Sequence, residues 1–191
     1  MKIVGNRFNL NLMAALLLSL CWGCQTGEPD PAKAVSTLRV HLEVNADRTD
    51  RNRQVPVYRE NPILLSIDAE PFATEQDVSD ARVVDVVGGF AIRIVFNQQG
   101  AYLLDHATGS NRGKHYVVFS QFASLQDPKV NQSRWLAAPL ISARIADGAL
   151  LFTPDASREE AYRIIQGLNN VAKQNHNSPA QIEETKKFFK Y

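Results

Sequence analysis

The chain has 191 residues, with 21 Lys and Arg against 20 Asp and Glu and a formal net charge of +1. That balance gives no general attraction to nucleic acid. Only two cysteines are present, which excludes a disulfide-dense scaffold, and 45% hydrophobic residues, with nine Phe and five Tyr, suffice for one proper core.

The chain opens on a short basic start, Lys2 and Arg7, followed by a mostly apolar run of 13 residues, Phe8 to Leu20. A bilayer takes about 20 residues to span, so the run reads as the core of a bacterial export signal. Cys21 and Cys24 follow in "LCWGCQTGEPDP". A redox pair draws its reactivity from a strand–helix context, and no domain lies upstream to supply one. A structural zinc site needs four ligands, and no second cysteine pair exists. Gly23 before Cys24 instead resembles the lipobox of bacterial lipoproteins, whose cysteine is diacylated after cleavage. Cys21 and Trp22 depart from that pattern, which has an aliphatic and a small residue there, and an uncleaved signal anchor is the competing reading. The expected lipidation site is Cys24, and the expected place is the bacterial envelope, facing the periplasm, with the outer membrane favoured. Losing Lys2 and Arg7 with the signal, residues 1–23, brings the chain to near neutrality. Residues 24–36, polar with Pro29 and Pro31, read as a tether.

Periodicity begins after it. "TLRVHLEV" alternates Leu38, Val40, Leu42 and Val44 against Arg39, His41 and Glu43, a strand with one wet face. Residues 45–54 read as a charged turn. "VPVYRENPILLSID" is extended, with Pro56 and Pro62 at edge or strand-start positions. Thr74 with Asp77 predicts a short capped helix over 75–81. "ARVVDVVGGFAIRIVF" predicts two strands around the Gly88-Gly89 turn.

From Asn97 the period becomes helical, with Ala101, Leu104 and Ala107 on one stripe, and the helix stops near Gly109 to Gly113. "HYVVFSQF" is a strand and 123–134 a polar excursion. "WLAAPLISARI" and "ALLF" predict a strand pair around Asp147-Gly148. Ser157 and Glu160 form a capping box for the clearest helix, whose stripe is Ala161, Ile164, Ile165 and Leu168. "KQNHN" reads as a linker before a short terminal helix opened by Ser178-Pro179, so the domain is expected over 37–172 and the linker and terminal helix over 173–191. The expected class is α+β, a mostly antiparallel sheet with the two main helices on one face.

Several stretches in order resemble the head of the large periplasmic domain of the SecD family of protein-export membrane proteins. They are Ala81 and Val83; Phe96, Gly100 and Ala101; Thr108, Gly113 and Lys114; Ala138, Pro139 and Ile141; and Ser157, Glu159, Glu160 and Ala161, across about 62–170. The resemblance implies the head fold and a periplasmic surface for export machinery or unfolded exported chains. It does not imply the motor, because that family carries six membrane-spanning helices and this sequence shows none after its signal. "ALLFTPDAS" (149–157) also stands where the family has a Gly-rich stretch.

The four histidines, His41, His106, His115 and His176, show no metal-ligand or catalytic spacing. "GSNRG" (109–113) follows a helix rather than opening one, so it is no phosphate loop. No G-x-S-x-G elbow exists, and Glu159-Glu160 sit where a helix dipole favours carboxylates. No catalytic residue, metal or cofactor is expected. The expected role is contact with a protein partner through 120–136, where Arg134 and Trp135 join two residue types enriched in binding hot spots. Trp135 as the first core residue of the next strand is the competing reading. A small envelope enzyme or ligand-binding lipoprotein is the alternative function, and a deep pocket gathering His41 or His115 with carboxylates would favour it.

Overall fold

The computed structural model describes residues 34–46, 51–127 and 129–176. Cys24, the signal, most of the tether and the terminal helix expected after Ser178 lie outside these residues. The chain runs through β1 (Thr37–Leu42), β2 (Asn52–Val57), β3 (Ile63–Asp68), β4 (Ala73–Thr74), a 3-10 turn (Glu75–Asp77), β5 (Val78–Val86) and β6 (Gly89–Phe96). It continues with α1 (Gln98–Ser110), β7 (Tyr116–Ala123), β8 (Asn131–Ala137), β9 (Ala149–Phe152) and α2 (Arg158–His176). The class is α+β, and every strand pair is antiparallel.

Among the described residues the pairing is divided among three sheets. One has four strands in the order β4-β1-β7-β8, one has two, β2-β3, and one has three, β5-β6-β9. The inward residues of the four- and three-stranded sheets share a single core with both helices. Leu38, Val40, Val118, Phe122 and Leu136 come from the first, Ile92, Ile94 and Leu150 from the second, and Leu104, Ile164 and Leu168 from the helices. The β2–β3 hairpin lies against the other side of the four-stranded sheet. There Val55, Val57 and Ile67 form a second cluster with Val117 and Ala138, and Leu65 and Trp135 pack at its margin.

Local signals explain most elements. Asn97 caps α1, its side-chain oxygen accepting from the Gly100 amide at 2.9 Å. The α2 capping box forms as predicted, with Ser157 Oγ accepting from the Glu160 amide and Glu160 Oε2 from the Ser157 amide. Gly88 and Gly89 turn the β5–β6 hairpin at φ 86° and 158°. On α2, Asn169 pairs through both side-chain atoms with the amide and carbonyl of Ala81. It thereby fills hydrogen-bonding positions of the outer strand β5.

Five expectations need correction. Thr74 and Asp77 do form a capping box, but it starts one 3-10 turn, and β5 takes over at Val78. The charged turn after Ala46 ends sooner, because β2 begins at Asn52. The polar excursion contains most of β8, which pairs with β7 from Asn131 onward. Asp147-Gly148 is not a hairpin turn: β9 pairs with β6, and β8 ends at Ala137, before Pro139 whose nitrogen has no hydrogen to donate. Residues 173–176 of the supposed linker are the last turn of α2.

The end of the tether is also part of the domain. Ser36 is buried, and the Ala34 carbonyl accepts from Asn170 Nδ2 at 2.9 Å. Gly167 makes room for this approach, since a Cβ there would stand 2.2 Å from Ser36 Oγ and 2.5 Å from its amide nitrogen.

Candidate partner-binding surface

Directly opposed residues of an antiparallel sheet share a face. In the four-stranded sheet, Arg39 on β1 opposes Phe119 on β7, and Phe119 opposes Trp135 on β8. These three residues make a row across the side away from the main core. The Phe119 and Trp135 rings lie 4.9 Å apart, tilted at 56°, a favourable aromatic geometry. Arg39 is exposed, and Phe119 and Trp135 are half-buried. Beside this row, Thr37, Gln121 and Ser133 form a polar one. On its other flank the β2–β3 hairpin covers Val117, so Trp135 stands where a covered apolar layer meets an open face.

Arg134 points to the opposite side. Its Nη1 meets Glu160 Oε2 at 2.8 Å and its Nη2 meets Glu160 Oε1 at 2.9 Å. Further bonds reach the Asp155 carbonyl and Gln132 Oε1, and the guanidinium lies 5.3 Å from the Phe122 ring centroid. Arg134 holds the Glu160 carboxyl below the usual carboxylate range, burial opposing it and the Ser157 amide reinforcing it. The two adjacent residues thus face different environments, and Trp135 is the one at the open face.

His41 lies on the supposedly wet face of β1, yet is 5% exposed. Its Nδ1 is 2.8 Å from the Asp68 carbonyl, and its ring stands edge-on to Trp135 at 5.5 Å. The alternation of β1 puts it on one face with the charged Arg39 and Glu43, which is why that face reads as wet in the sequence. The available signal was the apolar alternation Val55, Val57 on β2, which had to be buried against some neighbouring surface. His115 binds Glu43 through Nδ1 at 2.6 Å and through its amide at 2.8 Å, closing the junction of β1 and β7. Burial raises the Glu43 carboxyl, and these His115 bonds more than offset it, leaving it below its ordinary value. His106 is exposed and stacks on Tyr102, and His176 is exposed at the end of α2.

An open groove of about 420 Å³ is lined by Tyr58, Val86, Ala91, Pro139, Leu151 and Phe152. Neither His41 nor His115 lines it. Among the described residues no group of three or more His, Cys, Asp or Glu is placed to hold a metal, and no helix is long and apolar enough to cross a membrane.

The residues that carry the SecD-head resemblance serve the fold. A Cβ on Gly100 would meet Asp77 Cβ at 2.7 Å and Phe96 Cβ at 2.9 Å, so the start of α1 seats directly on the 3-10 turn. Thr108 Oγ1 donates to the Leu104 carbonyl and accepts from the Ile145 amide. Gly113, at φ 83°, donates to the Ile141 carbonyl, and the Lys114 carbonyl accepts from the Ile141 amide.

No protein-family model matches the chain, and no curated protein matches it. Among solved structures it is similar to a membrane component SecDF that enhances protein export, at 20% identity and a TM-score of 0.49, over 89% of this chain and 72% of that one. SecDF in a super-membrane-facing form is similar at 15% identity and a TM-score of 0.44, over 85% of this chain and 33% of that one. SecDF from Thermus thermophilus, a translocon-associated membrane protein, is similar at 16% identity and a TM-score of 0.37, over 86% and 34%. The chain therefore spans about a third of the latter two. The architecture stands on the pairing described above.

Proposed function

We propose that this is a non-enzymatic, lipid-anchored envelope protein that acts through protein contacts made by the face around Arg39, Phe119 and Trp135. The observation that carries the reading is the tilted Phe119–Trp135 pair, half-buried at the border between the hairpin-covered apolar layer and a polar row, and flanked by the exposed Arg39. Aromatic rings beside an arginine, rimmed by polar groups, have the composition of a contact hot spot. The link to protein export rests on the ordered SecD-head motifs of the sequence, and the partner class it names is the export machinery or an unfolded exported chain. The lipid anchor rests on Gly23-Cys24 after an export-like apolar run.

Site-specific photocrosslinking tests the reading in cells. Probes at Arg39 and Gln121, exposed on the proposed face, are compared with one at Gln166, exposed on α2. Adducts to an export component or to an exported chain arrested in passage are expected at the first two positions. Equal labelling from all three, or none from Arg39 and Gln121, would remove this face from the function.

A further inference from the structure

Among the described residues, the seam between the β2–β3 hairpin and the four-stranded sheet contains one buried ionisable group, near one end. His41 is 5% exposed, with Trp135 edge-on to its ring and Asp68 at its Nδ1. A main-chain carbonyl only accepts, so Nδ1 carries the hydrogen and Nε2 of the neutral ring is bare. Protonation adds a charge at Nε2, inside the layer that buries Val55, Val57 and Ile67 against Val117. Of the charged groups around the ring, Arg39 comes from β1, Arg53 from β2 and Asp68 from β3. The strands β7 and β8 present Val117, Phe119 and Trp135 to this layer, none of which titrates there. Two residues further on, just past the end of β1, Glu43 is already engaged by His115. Two cations against one carboxylate leave the new charge poorly compensated.

We propose that His41 is an acid-operated latch, whose protonation drives the ring out from between Asp68 and Trp135 and loosens the β2–β3 hairpin from the four-stranded sheet. Among the described residues, this end of the seam is also held by the Glu43–Ile67 bridge, by the bond from the Val44 amide to the Ser66 carbonyl at 2.8 Å, and just past β3 by the bond from the Phe72 amide to the Val40 carbonyl at 2.9 Å. Release uncovers the inner faces of both layers and frees one side of Trp135. Burial is the main influence holding the imidazole below its ordinary basicity; the Asp68 carbonyl opposes it, and Arg39 then adds to it. A histidine lowered in the folded state stabilises the closed form above about pH 6.5, and that contribution is lost as the pH falls.

The test is amide hydrogen exchange of the full chain in detergent between pH 7.5 and 5, corrected for intrinsic rates. Exchange across Asn52–Val57 and Ile63–Asp68 is expected to rise as the pH falls below ~6.5, by no more than about tenfold per pH unit for one coupled proton, and to level off once the closed form also takes up that proton. Strands β5 and β6 stay unchanged. His41→Asn retains a donor toward the Asp68 carbonyl but cannot titrate, and it should abolish the rise, whereas His115→Gln should preserve it. A rise that persists in His41→Asn, or that disappears in His115→Gln, overturns the proposal. If His41→Asn does not fold, the His41 ring resonance of the unaltered chain decides. Ring protonation and hairpin exchange must share a midpoint, and a ring that titrates while the hairpin stays closed refutes the latch.

Discussion

Arg134 on β8 and Glu160 in the first turn of α2 meet fork to fork, and the same Glu160 oxygen that takes Arg134 Nη1 also accepts the Ser157 amide. One carboxylate therefore caps the helix and ties it to the edge of the four-stranded sheet. Their side chains are 13% and 11% exposed, which takes this pair out of the class of weak surface bridges.

Arg134→Ala should cost about 3–5 kcal/mol in urea melts, because it leaves the Glu160 charge nearly buried and uncompensated. Replacing both residues with apolar ones of similar volume should cost clearly less than the two single changes added. The Glu160 carboxyl is lowered by Arg134, so its contribution is present above about pH 4.5 and is lost as the pH falls through its folded-state value. Glu160→Gln should flatten that part of the acid melt. A single-variant cost near zero would mean the fork is incidental.

The core stripe of α2 gives a second expectation. Leu168 is fully buried, and its truncation to Ala should cost about 2–5 kcal/mol. Gln166, exposed on the same helix, should change stability by no more than about 0.5 kcal/mol on the same substitution. Chemical denaturation of both variants measures the contrast, and equal midpoints would contradict the packing of α2 described here.

Gly167→Ala tests how the chain enters the domain. The added methyl overlaps Ser36 backbone and side chain, so residues 34–36 must leave the helix or the helix must shift, at a cost of about 1–3 kcal/mol. Proteolysis before β1 should quicken markedly in this variant. Gly88→Ala meets no neighbouring atom and should leave that cleavage unaltered, though its φ of 86° strains the hairpin.

For the anchor, Cys24→Ala should abolish fatty-acid labelling and membrane retention, since a diacyl group supplies the two chains that stable anchoring takes. Cys21→Ala should label normally. Unchanged incorporation in Cys24→Ala would refute lipidation there, and loss confined to Cys21→Ala would move the site.

What could be read from the sequence was local. The Ser157–Glu160 box, the Gly88-Gly89 turn, the Asn97 start of α1 and the α2 stripe each depend on residues a few positions apart. Strand partners do not. The alternation in "ALLF" says that one face is buried, but its partner β6 lies more than fifty positions upstream, and the nearer apolar run 135–145 looked the better match. Pro139 was the overlooked stop. Trp135 and Arg134 were paired as neighbours in sequence, whereas a strand turns successive side chains to opposite faces. Arg134 therefore went to Glu160 and Trp135 to Phe119. His41 was misread for the same reason: the hairpin that covers it is built from residues 52–68.

The docking of Ala34 and Ser36 against α2 sets a limit on geography. If Cys24 carries the proposed lipid, a chain fixed again at Ala34 has only nine intervening residues, Gln25 to Lys33, to bridge lipid and domain. Even fully drawn out, the span from Cys24 to Ala34 reaches about 36 Å at most. A domain moored on so short a line would meet its partners close to the bilayer surface, in a thin shell of the periplasm, and would trade long-range reach for a high local concentration at the membrane.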